Sequence, residues 1–172
     1  MKQPGIDRLK IRAGIQTFCR FAIWLFSPAL SIWTPTPADA QTQQQIDWCE
    51  NKEYAYSPDM QLNGCTALIQ SRRWSGKDLA LIFNNRGNAY NDKNDYDRAI
   101  ADFSEAIRLD PKYAFPYDGR GKAYYGKNDL DHAIADFSQA IRLDPKYASP
   151  YNDRANVYYD RKDYDRAIAD YD

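Results

Sequence analysis

The sequence predicts an all-α fold of stacked antiparallel helix pairs, and three features lead to it. The nine residues from Asp95 to Phe103 return at Asp129 to Phe137 and again at Asp163 to Tyr171, each start 34 residues after the last. Within the first block and its continuation, Ala99, Ile100, Phe103, Ala106 and Ile107 fall at i, i+1, i+4, i+7 and i+8, one apolar stripe at the period of a helix. Asp110-Pro111 and Asp144-Pro145 then stop two of these segments, because the residue before a proline is pushed out of the α region.

Each period holds two helices. In the second, Asp95 and Asp97 crowd the start and Arg108 the end, which suits the partial charges at helix termini. In the first, Phe83, Gly87 and Tyr90 share a face, and the segments Asn85 to Tyr90, Gly119 to Tyr124 and Asp153 to Tyr158 match one another. Gly87 and Gly121 are small where Ala99 and Ala133 of the following helix are small, so the two helices are expected to approach closely there, with aromatic rings filling the gaps beside them.

The first forty residues follow different rules. Lys2, Arg8, Lys10, Arg12 and Arg20 face a single Asp7, and the thirteen residues from Phe21 to Trp33 are apolar apart from Ser27, Pro28 and Ser31. That stretch is shorter than the ~20 residues a membrane-spanning helix needs. It is followed by Ala38-Asp39-Ala40, a small-x-small pattern, so residues 1–40 read as a signal peptide cleaved after Ala40. The alternative is an uncleaved anchor, the one route by which the chain would touch a membrane. Export implies a periplasmic or secreted protein and leaves Cys49 and Cys65 as an even pair in an oxidising compartment. A disulfide between them, contributing ~3 kcal/mol in the chain-entropy model, is the leading reading, and two buried thiols are the other.

Composition narrows the function. The chain has 172 residues and a formal net charge of −1, with Lys and Arg spread along it, which gives none of the electrostatic footprint of a nucleic-acid binder. A single histidine, His132, argues against zinc sites and imidazole-based hydrolases, so catalytic, metal and cofactor sites are all read as none. Gly121 to Lys127 has the spacing of a phosphate-binding loop, but Asn128 stands where Ser or Thr should be and no strand precedes it. The Asp and Asn clusters at 92–97, 128–131 and 160–165 lack the Gly and Glu of a calcium loop and read as caps and first-turn acids. His132, at the position of Arg98 and Arg166, reads as a solvated side chain.

Taken together, the period and the recurring aromatic, Gly, Tyr, Ala, Phe and Pro positions resemble tetratricopeptide repeats. The resemblance divides the array into 80–113, 114–147 and a shortened 148–172. It implies an α-solenoid, a right-handed superhelix whose first helices line a concave groove that holds protein partners. On that pattern the groove side carries Leu81, Asn84, Asn88 and Asn91, then Phe115, Asp118, Lys122 and Tyr125, then Ser149, Asn152, Asn156 and Tyr159. Asparagine donates and accepts at once, which suits an extended peptide backbone. Family members that clamp a Glu-Glu-Val-Asp carboxylate use Lys or Arg at several of these places; here Asn88 remains from that clamp, and Asn84, Gly119, Ser149 and Asp153 replace the rest. Tyr90, Tyr124 and Tyr158 are expected in the core, with Tyr125 and Tyr159 turned toward the groove.

Residues 41–79 are expected to form a degenerate helix pair stapled by the cysteines. Gln45 to Trp74 can be laid on the same period without a gap, which puts Cys65 on the Ala99 position and Ile69 on the Phe103 position, with Ser75 to Asp78 as the turn into the next repeat. The expected function is a non-catalytic module or scaffold that binds a protein or peptide segment in the groove. Two alternatives are self-association through the uncovered last helix into a homo-oligomer, and a regulatory part of a larger enzyme.

Overall fold

Three aspartates, 34 residues apart, set the frame of the molecule. In the computed structural model, which describes residues 37–172, the carboxylates of Asp95, Asp129 and Asp163 accept the backbone N–H of Arg98, His132 and Arg166 and start three helices. A side-chain acceptor at this place satisfies an amide that the helix leaves without a partner. Just before each aspartate, Asn94, Asn128 and Lys162 take left-handed φ values of 57°, 62° and 61°. The chain can then reverse, and the aspartate N–H reaches back to the carbonyls of Tyr90, Tyr124 and Tyr158.

Eight helices follow one another among the described residues: α1 Pro37–Glu50, α2 Pro58–Gln70, α3 Gly76–Asp92, α4 Tyr96–Leu109, α5 Ala114–Gly126, α6 Leu130–Leu143, α7 Ser149–Asp160 and α8 Tyr164–Tyr171. A short 3-10 turn, Lys52–Tyr54, joins α1 to α2, and there is no strand among these residues. None of the described helices is long and apolar enough to cross a membrane. The fold is an all-α solenoid of helix pairs, each packing on the next. The expected leader lies outside the described residues except for Pro37 to Ala40, which form the first turn of α1.

The core is made by phenylalanine against glycine. Phe103 of α4 is fully buried, and a Cβ placed on Gly87 of α3 would lie 2.8 Å from its ring; one placed on Gly119 of α5 would lie 2.4 Å away. The ring is therefore held between its own repeat and the next. Phe137 meets Gly121 in the same way. The room left beside each glycine is taken by the aromatic ring of the second helix. In the last repeat Ala155 stands where Gly87 and Gly121 stood, and Tyr171, the counterpart of Phe103, is half exposed, its hydroxyl donating to Asn156.

A second repeated device is polar. Arg86, Arg120 and Arg154 each grip an aspartate sixteen residues on, Asp102, Asp136 and Asp170, through two hydrogen bonds of 2.7–2.9 Å. The remaining guanidinium nitrogen donates to Thr66, Ser104 or Ser138 on the second helix of the preceding pair. One side chain thus ties three helices.

That contact also fixes the register of the first pair. Ser57 caps α2 by accepting from Met60, and the buried residues of α2 are Gln61, Gly64, Cys65 and Leu68. These match Asp95, Arg98 and the buried Ala99, Asp102, Phe103 and Ala106 of α4 at an offset of 38. The gapless placement of Cys65 on Ala99 is therefore corrected by one helical turn: Cys65 takes the place of Phe103. Cys65 is joined in the structure to Cys49 of α1, Cα to Cα 4.6 Å, and both are fully buried with Ile46, Leu68 and Ile82. Helix α3 begins at Gly76, inside the expected turn of Ser75 to Asp78, so Gly76 to Asp78 are its first turn and Ser75 stands at its N-cap position.

Candidate functional site

The curvature of the stack decides which face is inside. First helices touch one another in succession, α1 on α3, α3 on α5 and α5 on α7, whereas the second helices pack on the flanking first helices. Elements that crowd together lie on the inner side of a bend, so the first helices line a concave face. Hydrogen bonds that cross from one first helix to the next mark its floor.

Three such crossings use side chains expected on the groove. Asn91 donates through Nδ2 to the carbonyl of Gly119, 2.9 Å. Lys122 of α5 donates to Ser149 of α7, 3.0 Å, and the Tyr125 hydroxyl donates to Asp160 at 2.6 Å. The Asp160 hydrogen bond, together with its charge, pushes the Tyr125 phenol up to about 12.

Around Lys122 the crossings become a cluster. Its ammonium lies 2.7 Å from Asp118 and 3.3 Å from Asp153. Tyr147 donates to the same oxygen of Asp118 at 2.6 Å, and Ser149 donates to Asp153 at 3.0 Å. Asp118 is only 2% exposed, and burial holds its carboxyl above the usual carboxylate range against the pull of Lys122 and Tyr147. Burial also works to lower the Lys122 pKa, but Asp118 and Asp153 outweigh it and hold the ammonium above its ordinary value. Burial and the Asp118 charge both raise the Tyr147 phenol. The second oxygen of Asp118 and the Oδ1 of Asn91 are buried without hydrogen-bond partners.

The expected groove residues are therefore not equivalent. Asn84 is 1% exposed, beside Asn85, and Leu81 is buried in the core with the cysteines, so neither is open to a partner. Asn91 and Asp118 form floor and wall. Phe115 packs between Tyr113 and Tyr147 with tilted rings, centroids 5.6 and 4.8 Å apart. Asn88, Lys122 and Tyr125 are half-buried, and Asn152, Asn156 and Tyr159 are exposed. Tyr159 is 60% exposed and packs edge-on against Tyr164 of α8.

Several roles were not read from the sequence. Tyr147 enters the cluster from the turn before α7, and Asp160 accepts from Tyr125 at the end of α7. Their signal was the recurrence of Tyr113 at Tyr147 and the acid that replaces Gly126 one repeat on. His132 was expected to be merely solvated. It is exposed, but its ring stacks on Tyr124 and bonds Asp129, as Arg98 lies over Tyr90 beside Asp95. Among the described residues no group of His, Cys, Asp or Glu is arranged to hold a metal ion.

Comparison with known proteins places this geometry. Residues 80–113 match a model described as tetratricopeptide repeat, and residues 121–161 match a TPR repeat model. No curated protein matches the chain. Among solved structures, the first TPR of Spaghetti (RPAP3) bound to the HSP90 peptide SRMEEVD is 25% identical, with a TM-score of 0.55 over 56% of this chain and 77% of that one. The second TPR domain of human RPAP3, in complex with the HSP70 peptide SGPTIEEVD, is 23% identical, with a TM-score of 0.59 over 69% and 95% of the two chains. MamA is 19% identical, with a TM-score of 0.65 over 78% and 75%. The chain carries tetratricopeptide repeats, stacked as a TPR solenoid.

Proposed function

We propose that this protein is an exported, non-catalytic interaction module that holds an extended segment of a partner protein on the concave face of α3, α5 and α7. The observation that carries the reading is the seam itself. Asn88, Lys122, Tyr125, Asn152, Asn156 and Tyr159 remain at least partly open on first helices whose floor is fixed by cross-helix hydrogen bonds. A preformed surface loses little freedom on binding, so modest contacts suffice. The RPAP3 domains, which hold peptides on the same fold, support the general mode.

Export is part of the proposal and rests on the basic start, the short apolar stretch and the Ala38-Asp39-Ala40 pattern. In that setting Cys49 and Cys65 are proposed to be oxidised, which mass measurement before and after reduction tests directly. Crosslinking in the exported compartment tests the groove. The wild type should capture partners that a double variant, Asn88→Ala with Tyr125→Ala, loses; unchanged capture would remove the inner face from the proposal.

A second reading has its own observation. Tyr164, Ile168 and Tyr171 of α8 are at least half exposed, an apolar face with the character of an interface between copies. Light scattering at rising concentration should then show growing mass, and a constant monomer mass would defeat it.

A further inference from the structure

The charge on the inner face is lopsided. Asp118 and Asp153 gather around one ammonium, Lys122, and a third carboxylate, Asp160, accepts from Tyr125 one turn further along α5, so the α5–α7 seam carries three aspartates and one lysine. Nearby cations at the turns are engaged elsewhere: Lys127 pairs with Asp97 and Arg161 with Asp131, each on the second helix before it. Beneath the surface the imbalance persists. Asn91 spends its N–H on Gly119 and leaves Oδ1 unpartnered, and Asp118, one residue from that glycine and nine-tenths buried, keeps one carboxylate oxygen without a donor. Both of these leftover atoms accept hydrogen bonds.

Negative potential in a concave, partly desolvated surface is focused outward and draws cations. Lys122, tethered by its own helix and 42% exposed, fills only part of that demand. Asp153 and Asp160 stand on the accessible side, with side chain 26% exposed in the first and the residue exposed in the second. A carboxylate-terminated segment would meet Asp153 and Asp160 here with Asp118 beneath them, a repulsive arrangement.

We infer that the inner face around Lys122 selects an extended protein segment bearing Lys or Arg, whose cationic side chain docks between Asp153 and Asp160. This rests on the groove reading above and adds the chemistry of the partner. The peptide backbone would lie along Asn88 and Asn156, with the cation at the α5–α7 seam.

The test is an array of random nine-residue peptides probed with the full chain, followed by anisotropy titration of the best binders. Enrichment of Lys or Arg among bound peptides, weakened about fivefold by Asp153→Asn with Asp160→Asn, is the expected result. Both replacements keep an acceptor for Ser149 and Tyr125, so circular dichroism should stay unchanged. Enrichment of acidic or uncharged peptides, or binding indifferent to the double variant, overturns the cation preference while leaving peptide binding intact. Absence of binders of every class overturns the groove reading and this inference together.

Discussion

Arg120 and Asp136 face each other across α5 and α6 with both guanidinium–carboxylate hydrogen bonds formed, 2.8 and 2.9 Å, and Arg120 donates a third time to Ser104 on α4 at 3.0 Å. The same triangle recurs at Arg86 and Arg154. Its side chains are 21% and 9% exposed, so the pair lies between the weak surface bridge and the costly buried one. Removing one member strands the other. Asp136→Asn should lower unfolding free energy by about 2 kcal/mol, measured by urea denaturation, with the three-helix contact explaining the loss. A change below a few tenths would make the triangle ornamental to stability.

Gly119 backs the ring of Phe103, which Gly87 backs from the other side, so the ring has nowhere to move. Alanine at an ordinary helix position would gain ~1 kcal/mol over glycine. Overpacking a filled core costs ~1–3 kcal/mol, so Gly119→Ala should come out net destabilising. The melting temperature should fall, and pairing it with Phe103→Leu should recover part of the loss.

Lys162 adopts the left-handed conformation that asparagine adopts at Asn94 and Asn128. Its Cβ pays a steric penalty of ~1 kcal/mol that glycine lacks. Lys162→Gly is expected to stabilise the α7–α8 turn by about that amount, readable in slowed amide exchange at Asp163, and a destabilised variant would contradict it.

Acid titration should split the aspartates into two groups. Hydrogen bonding to the Arg98 side chain lowers Asp95 below 3.8, the His132 side chain does so for Asp129, and Arg166 does so for Asp163. A carboxyl depressed in the folded state contributes stability above its unfolded pKa, and that contribution is lost as pH falls through the folded value. Burial raises Asp102 and Asp118, so their contribution has the opposite sign: present at low pH and lost as pH rises through their folded values. Carbon-detected NMR of the carboxyls should place Asp95 and Asp163 below 3.8 and Asp118 above it; a reversed order would refute the cap and floor assignments.

The 34-residue period exposed the second helices almost completely, because their apolar stripe, acidic caps and Asp-Pro stops are local signals. What lies between helices was harder to read. A strict period placed Cys65 on Ala99, yet α3 starts at Gly76, one turn before the position that matches the start of α5 at Ala114, and this added turn shifts α2, a length change that sequence self-similarity alone does not register. Spacing showed that aromatic rings would fill the gaps beside Gly87, but not that one ring, Phe103, would be held between Gly87 and Gly119 of successive repeats. On the first helices, helical position picked out candidates, but not that Asn84 would be covered or that Asn91 would be committed to Gly119. Those outcomes depend on how far one hairpin leans over the next.

The central claim is that the concave face of the first helices is where a partner rests. Nitrogen-15 NMR of the full chain titrated with a Lys-bearing nonapeptide from the array measures it residue by residue. Shifts should concentrate at Asn88, Lys122, Tyr125 and Asn156 on α3, α5 and α7. Shifts confined to the second helices, α4 and α6, would contradict it.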